Sequence, residues 1–264
     1  MNAHRMISLL LVPLLGASCA HLTPPTTLPV DHTRTVEQLV LYSDFPLPKQ
    51  HRLFDELTAL RLHIADELNL PESSEPIHIY LFKNGRRYRA FMRKHCPDFA
   101  ARRAIFVETD TRLEVYVHWS DRIGEDLRHE VSHGYLHASV SKLPLWVDEG
   151  LAEYFEIARS KNGLHEQHLQ ELKTQLAAGW QPDVERLSKL SDPAEMQQID
   201  YAEAWAWIHF LMNTKPERRL ALQEYLDTLR RRGKHDSLPE ILRRLHFAPE
   251  RGLVDHLKSL KSEL

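Results

Sequence analysis

The stretch His129-Glu130-Val131-Ser132-His133 constrains this chain more than any other, because its residues can act together only on a helix. Two histidines four positions apart on a helix project from nearly the same side, one turn apart, so two imidazole nitrogens can converge on one ion. Glu130 then lies roughly 100° round the axis from His129 and about 60° from His133. Its carboxylate reaches the open side of such an ion without ligating it, and there it can take a proton from a water at the metal. A catalytic zinc needs a third protein ligand and an open fourth position. Asp148-Glu149-Gly150-Leu151-Ala152-Glu153 offers one: after the short loop Ser141-Lys142-Leu143-Pro144, an antiparallel second helix would present Glu149 to the same ion. Glu153, four positions on and on the same face, is placed to accept the outer N–H of a ligating histidine. His137 continues the histidine row but stands about 11 to 12 Å along the axis from His129, too far to share the ion. It reads as a surface or outer histidine.

His-Glu-Val-Ser-His followed by Leu-Trp-Val-Asp-Glu-Gly-Leu-Ala-Glu-Tyr-Phe, from about Leu127 to Phe155, resembles the gluzincin metallopeptidases, in particular the bacterial peptidase-MA-like domains. It is more distantly similar to the aminopeptidase-N type, whose Trp-Leu-Asn-Glu-Gly-Phe-Ala segment carries the third ligand. The resemblance implies a zinc metallopeptidase with His129, His133 and Glu149 as zinc ligands and Glu130 as general base. It also implies a donor for the oxyanion from a downstream helix. The weaker echo Tyr201-Ala202-Glu203-Ala204-Trp205-Ala206 makes Tyr201 the candidate, with His209 in reserve. By the same resemblance, the strand beside the ligand helix is an open edge to which a peptide substrate adds by main-chain hydrogen bonds. The interval from His133 to Glu149 is shorter than in the aminopeptidases, and no Gly-x-Met-Glu-Asn segment lies upstream. An endopeptidase acting on peptides or proteins is therefore expected rather than an aminopeptidase. Leu136 and Ser139 stand where a metzincin needs glycine and histidine. The alternatives are a non-catalytic zinc-binding scaffold or binding module on the same fold, and hydrolysis of a non-peptide amide or ester. Glu130 favours an enzyme, since a structural zinc site needs no base and closes its fourth position.

The flanks place this chemistry outside the cytoplasm. His4 and Arg5 precede the apolar run Met6 to Gly16, which is too short to span a bilayer and fits the core of a secretory signal over residues 1–20. Leu15-Gly16-Ala17-Ser18-Cys19 resembles a lipobox, in which the cysteine is acylated and becomes the new amino terminus; a conventional cut after Ala20 is the rival. The expected location is the cell envelope, lipid-anchored through Cys19 and facing the periplasm, otherwise periplasmic or secreted. Either route leaves Cys96 without an intrachain partner, so it reads as a small buried hydrophobe. Residues 21–48, with Pro24, Pro25, Pro29, Pro46 and Pro48 among threonines, read as an extended tether. A net charge of -3 and a pI near 6.6 give no electrostatic case for nucleic acid.

The expected fold class is α+β and zincin-like, as one domain over residues 49–264: a small mixed or antiparallel sheet, the His-Glu-x-x-His helix, then a mainly helical C-terminal part. Leu53, Leu57, Leu60 and Ile64 recur at helical spacing between Lys49 and Leu70. Strands are expected over Ile77–Phe82, Ala104–Val107 and Leu113–His118, the last two joined at Thr109-Asp110-Thr111, with a short helix around Tyr88, Phe91 and Met92 after Asn84-Gly85. Ser120 and Asp121 are candidate caps for the ligand helix. Further helices are expected over Leu145–Ser160, His165–Ala178, Tyr201–Met212, Pro216–Arg232, Leu238–His246 and Pro249–Leu260, with Trp205, Trp207 and Phe210 in the core.

Overall fold

A computed structural model describes residues 26–49, 51–140, 142–233 and 236–261. The signal and the Cys19 lipobox lie outside these residues. Part of the expected tether is sheet: β1 (His32–Val36) pairs antiparallel with β2 (Leu39–Ser43), and Leu39 and Leu41 are completely buried. Proline flanks this segment without interrupting it. Apolar residues alternating over only five positions suffice for a strand once a neighbouring strand supplies its hydrogen bonds.

α1 (Arg52–Leu68) follows, then β3 (Ile77–Phe82), α2 (Gly85–His95), β4 (Ala104–Glu108) and β5 (Leu113–His118). The sheet order is β1-β2-β3-β5-β4; the central pairs β2–β3 and β3–β5 are parallel and the two outer pairs antiparallel. The β4–β5 turn closes where expected, with the Thr109 hydroxyl accepting the Arg112 N–H at 3.0 Å. Alternation gives the sheet two distinct faces. Leu41, Ile79, Leu81, Val115 and Val117 point into the main core with α1, while Tyr80, Phe82 and Tyr116 pack with Tyr88, Phe91 and Met92 of α2.

α3 (Ile123–Ser139), the ligand helix, lies against the sheet on its main-core side. Neither expected cap holds its first turn: the Ser120 hydroxyl bonds the Arg122 N–H one step upstream, and Arg122 occupies the cap position without a side-chain bond. α4 (Leu145–Phe155) ends before Ser160, where a 3-10 turn takes over. The remaining helices are α5 (Glu166–Ala177), α6 (Val184–Leu187), α7 (Gln198–Asn213), α8 (Pro216–Arg230), α9 (Leu238–Leu245) and α10 (Pro249–Ser259). Only the one-turn α6, too short to show a period, has no counterpart in the sequence reading. α7 is buried all round, with Trp205, Trp207 and Ile208 inaccessible and Asp200, Glu203 and His209 buried as well, and such a helix belongs at the centre of a bundle. It packs against α4, α5, α8 and α10.

Gly150 explains how α7 comes so close to α4: a Cβ at this position would lie 2.6 Å from the Ala204 carbonyl oxygen. Gly134 on α3 leaves room for the Ile77 side chain of β3, which a Cβ would meet at 2.9 Å. The bare backbone at Gly150 lets α4 and α7 approach more closely than a side chain allows, beside α3 and its cleft. Among the described residues, no helix is long and apolar enough to cross a membrane.

Candidate metal centre

His129 and His133 leave α3 one turn apart with their Nε2 atoms 3.3 Å from each other. Glu149 projects from α4 so that its Oε2 is 3.7 Å from each of these nitrogens. The outer nitrogens are held by carboxylates: His129 Nδ1 lies 3.0 Å from Glu156 Oε2, and His133 Nδ1 lies 2.9 Å from Asp148 Oδ1. Burial opposes charge on both carboxylates. Even so, His133 and His137 hold the Asp148 carboxyl well below its ordinary range, and His129 and His165 do the same for Glu156.

An ionised carboxylate can only accept, so each of the two histidines carries a proton on Nδ1, and the ring in its neutral form presents a lone pair at Nε2. Burial opposes the ring charge, but the surrounding carboxylates outweigh it and raise the pKa of both. At the third corner, Glu149 Oε2 is buried with no hydrogen-bond partner. The two Nε2 atoms and Glu149 Oε2 thus converge on one point, and the carboxylates around them favour positive charge there, whether as protonated rings or as a metal ion. Tetrahedral bonds of about 2.1 Å hold ligand atoms roughly 3.4 Å apart, so two imidazole nitrogens and a carboxylate oxygen fit a divalent metal ion here.

Three neighbouring groupings of histidine and carboxylate among the described residues could also hold an ion, but each contains a shorter contact. His137 stands 2.6 Å from Glu108 and 3.0 Å from Asp148, His168 Nε2 lies 2.9 Å from Glu153 Oε2, and His165 Nε2 lies 3.0 Å from Glu156 Oε1. These are hydrogen-bond lengths. His165 also caps α5, its Nδ1 accepting the His168 N–H at 3.2 Å, so its Nε2 bears the proton donated to Glu156.

Glu153 therefore does not hold a ligand histidine, as its spacing suggested. Glu156 does. Seven positions from Glu149 is nearly two full turns, which returns more closely to the same line along the helix than four positions do. That spacing, and Asp148 directly before the ligand, were the signals available in sequence. His137 acts through Asp148, one step further from the metal centre.

A cavity of about 430 Å³ opens on this centre, and its walls include Arg102, His129, Glu130 and Tyr201. Burial pushes the Glu130 carboxyl above its usual range, with Glu149 adding to the effect against the opposing pull of His129 and His133. Tyr201 comes from the first turns of α7. Its hydroxyl oxygen accepts from Arg102 Nη2 at 2.8 Å, which leaves the phenolic proton free for the cleft, and burial followed by the nearby Glu149 raises its pKa. His209, the reserve candidate, does not line the cavity: its Nδ1 is 2.9 Å from Nε2 of His256 in α10. Arg102 is a wall residue for which the sequence carried no signal, since it is brought to the cleft only by the position of β4.

The free edge of the sheet beside the cleft also differs from expectation. β5 runs into α3 but is an inner strand; its hairpin partner β4 folds back outside it and takes the edge. Comparison with curated proteins gives no match. A family described as "Protein of unknown function (DUF1570)" matches residues 126–233, less than half of the chain but the part running from the first turn of α3 to the end of α8 that carries His129, Glu130, His133, Glu149 and Tyr201.

Proposed function

We propose that the chain is a zinc-dependent peptide hydrolase of the gluzincin type, an endopeptidase rather than an aminopeptidase, acting in the bacterial cell envelope. The observation that supports this most is the convergence of His129 Nε2, His133 Nε2 and Glu149 Oε2 beside a buried Glu130 in one open cleft. Zinc, when bound there, would polarise a scissile carbonyl and acidify an adjacent water. Glu130 takes the proton of that water on its carboxylate and returns it to the nitrogen of the leaving amine. Its raised pKa brings it nearer the range in which one group can do both. Tyr201 donates its phenolic proton as a hydrogen bond to the carbonyl oxygen as charge develops there. Asp148 and Glu156 fix the tautomers of the two ligand histidines throughout. The β4 edge has main-chain groups free to pair with an extended peptide. A second cavity of about 260 Å³ shares Glu156 and His165 with the first and lengthens the cleft, as cleavage within a chain requires. Export by residues 1–20, with Cys19 acylated, belongs to the same reading.

The test is Glu130→Gln in the full chain. Metal analysis should find zinc retained at the wild-type ratio, while cleavage of a peptide library falls by about a hundredfold or more. Comparable cleavage by the variant would refute the base assignment.

A further inference from the structure

Among the described residues, most charges around the cleft are paired. Asp126 lies 2.6 Å from Arg103, and Glu125 pairs with Arg122 and lies 3.4 Å from Arg103. Glu153 is bonded to His168, Glu156 to His129 and His165, and Glu130 and Glu149 face the metal centre. Arg103 and Arg122 are thereby neutralised. Arg102 forms no ion pair among the described residues, although Glu149 and Glu130 lie near enough to favour its charge, and it is held in place. Its backbone N–H bonds the Phe99 carbonyl at 3.0 Å, Nη2 donates to Tyr201, and the guanidinium carbon lies 5.6 Å from the centre of the Phe99 ring and 5.9 Å from that of Tyr201. A guanidinium has five N–H donors in a planar fork, and one such bond is made here. Arg102 also stands two residues before β4, so a peptide laid along that free edge carries a terminus or a side chain past it.

We infer that Arg102 anchors a carboxylate of the substrate, and so selects peptides that present one at this end of the cleft. The inference rests on the peptide-hydrolase reading above, but the group recognised is a further property. A guanidinium held by one hydrogen bond and two ring contacts, with N–H donors to spare and no ion pair, is a site for a planar anion, which the fork meets with two parallel hydrogen bonds. The carboxylate comes either from a chain terminus or from an Asp or Glu side chain.

Binding separates this from the hydrolytic reaction. The full-length, zinc-loaded Glu130→Gln protein is offered three N-acetylated peptide pools matched in length: one with free C-termini and no acidic residues, one amidated with Asp and Glu, and one amidated without them. At least one carboxylate-bearing pool should be retained about tenfold or more over the neutral pool. Enrichment of the first pool identifies a terminal carboxylate, and enrichment of the second a side chain. Adding Arg102→Gln should abolish the preference, and Arg102→Lys should keep part of it, with zinc content and thermal midpoint showing that both fold. Equal retention of all pools, retention of none, or a preference that survives Arg102→Gln would overturn the inference. If wild type cuts no peptide but the preference stands, the hydrolase reading fails alone; cleavage without preference removes only the anchor.

Discussion

Behind each ligand histidine stands a carboxylate whose charge decides what the ring can offer to a metal. Asp148→Asn and Glu156→Gln keep the shape of these partners but remove the charge, and Asn or Gln can turn an N–H toward Nδ1 and so reverse the tautomer. Either change should weaken zinc binding by about 10- to 100-fold, measured by competition with a chelator of known affinity. Unchanged affinity in both would mean that the outer contacts do not orient the rings. A different buried histidine makes the fold sensitive to acid. His209 is 4% exposed and burial, reinforced by His256, pushes its pKa down to about 3. The unfolded chain accepts this proton near pH 6.5 while the native one refuses it, so stability is lost as pH falls below about 6.5, by roughly 1.4 kcal/mol per unit for this group. His209→Gln cannot titrate. Thermal melts from pH 7 to 4.5 should show a shallower decline for the variant than for wild type, and parallel curves would assign the acid sensitivity to other groups.

Helices α4 and α7 are the elements whose spacing sets the cleft, because one brings Glu149 and the other Tyr201. The contact depends on Gly150, where an added Cβ would fall 2.8 Å from an Ile208 side-chain carbon as well as 2.6 Å from the Ala204 carbonyl oxygen. Backbone cannot yield as a flexible side-chain tip can, so Gly150→Ala must push the two helices apart. Overpacking of this kind costs about 1–3 kcal/mol. The expected result is a lowered unfolding midpoint in denaturant together with weakened zinc retention, since Glu149 moves with its helix. A variant of wild-type stability would show that the helices slide without cost. In the sheet, β4 holds the edge position because its hairpin with β5 folds back on the outside, and Arg102 arrives at the cleft as a consequence.

For the molecule as a whole, the two N-terminal strands belong to the folded unit. Leu39 and Leu41 are fully buried in the main core, and β2 covers the side of β3 that β5 does not. A chain beginning at residue 26 should melt like the full-length protein. One beginning at residue 45 loses β1 and β2, opens a hydrophobic gap and leaves β3 as an exposed edge, so it should aggregate on size-exclusion chromatography. A monomeric, cooperatively melting product of the shorter chain would show that these strands are dispensable. The C-terminal half depends on α7 in the same way, since α4, α5, α8 and α10 all pack against this one buried helix.

Read alone, the residues disclosed whatever repeats with the period of a single element. The i, i+4 pair His129 and His133, the apolar spacing of α1, the alternation of Ile77–Phe82 and the core aromatics Trp205, Trp207 and Phe210 of α7 are local patterns, and local geometry is enough to interpret them. The same holds for Glu149 as a third metal-facing group, reached through the resemblance of its segment. What depended on how distant elements pack was not legible. Glu156 rather than Glu153 behind His129, Arg102 opposite Tyr201, β4 at the edge, and the proline-flanked strands of residues 32–43 within the sheet are all relations between segments remote in sequence. A side chain's direction is set by its own helix or strand. The partner it meets is set by where another backbone lies, and here that was decided by the close helix approach at Gly150 and the order of strands in the sheet.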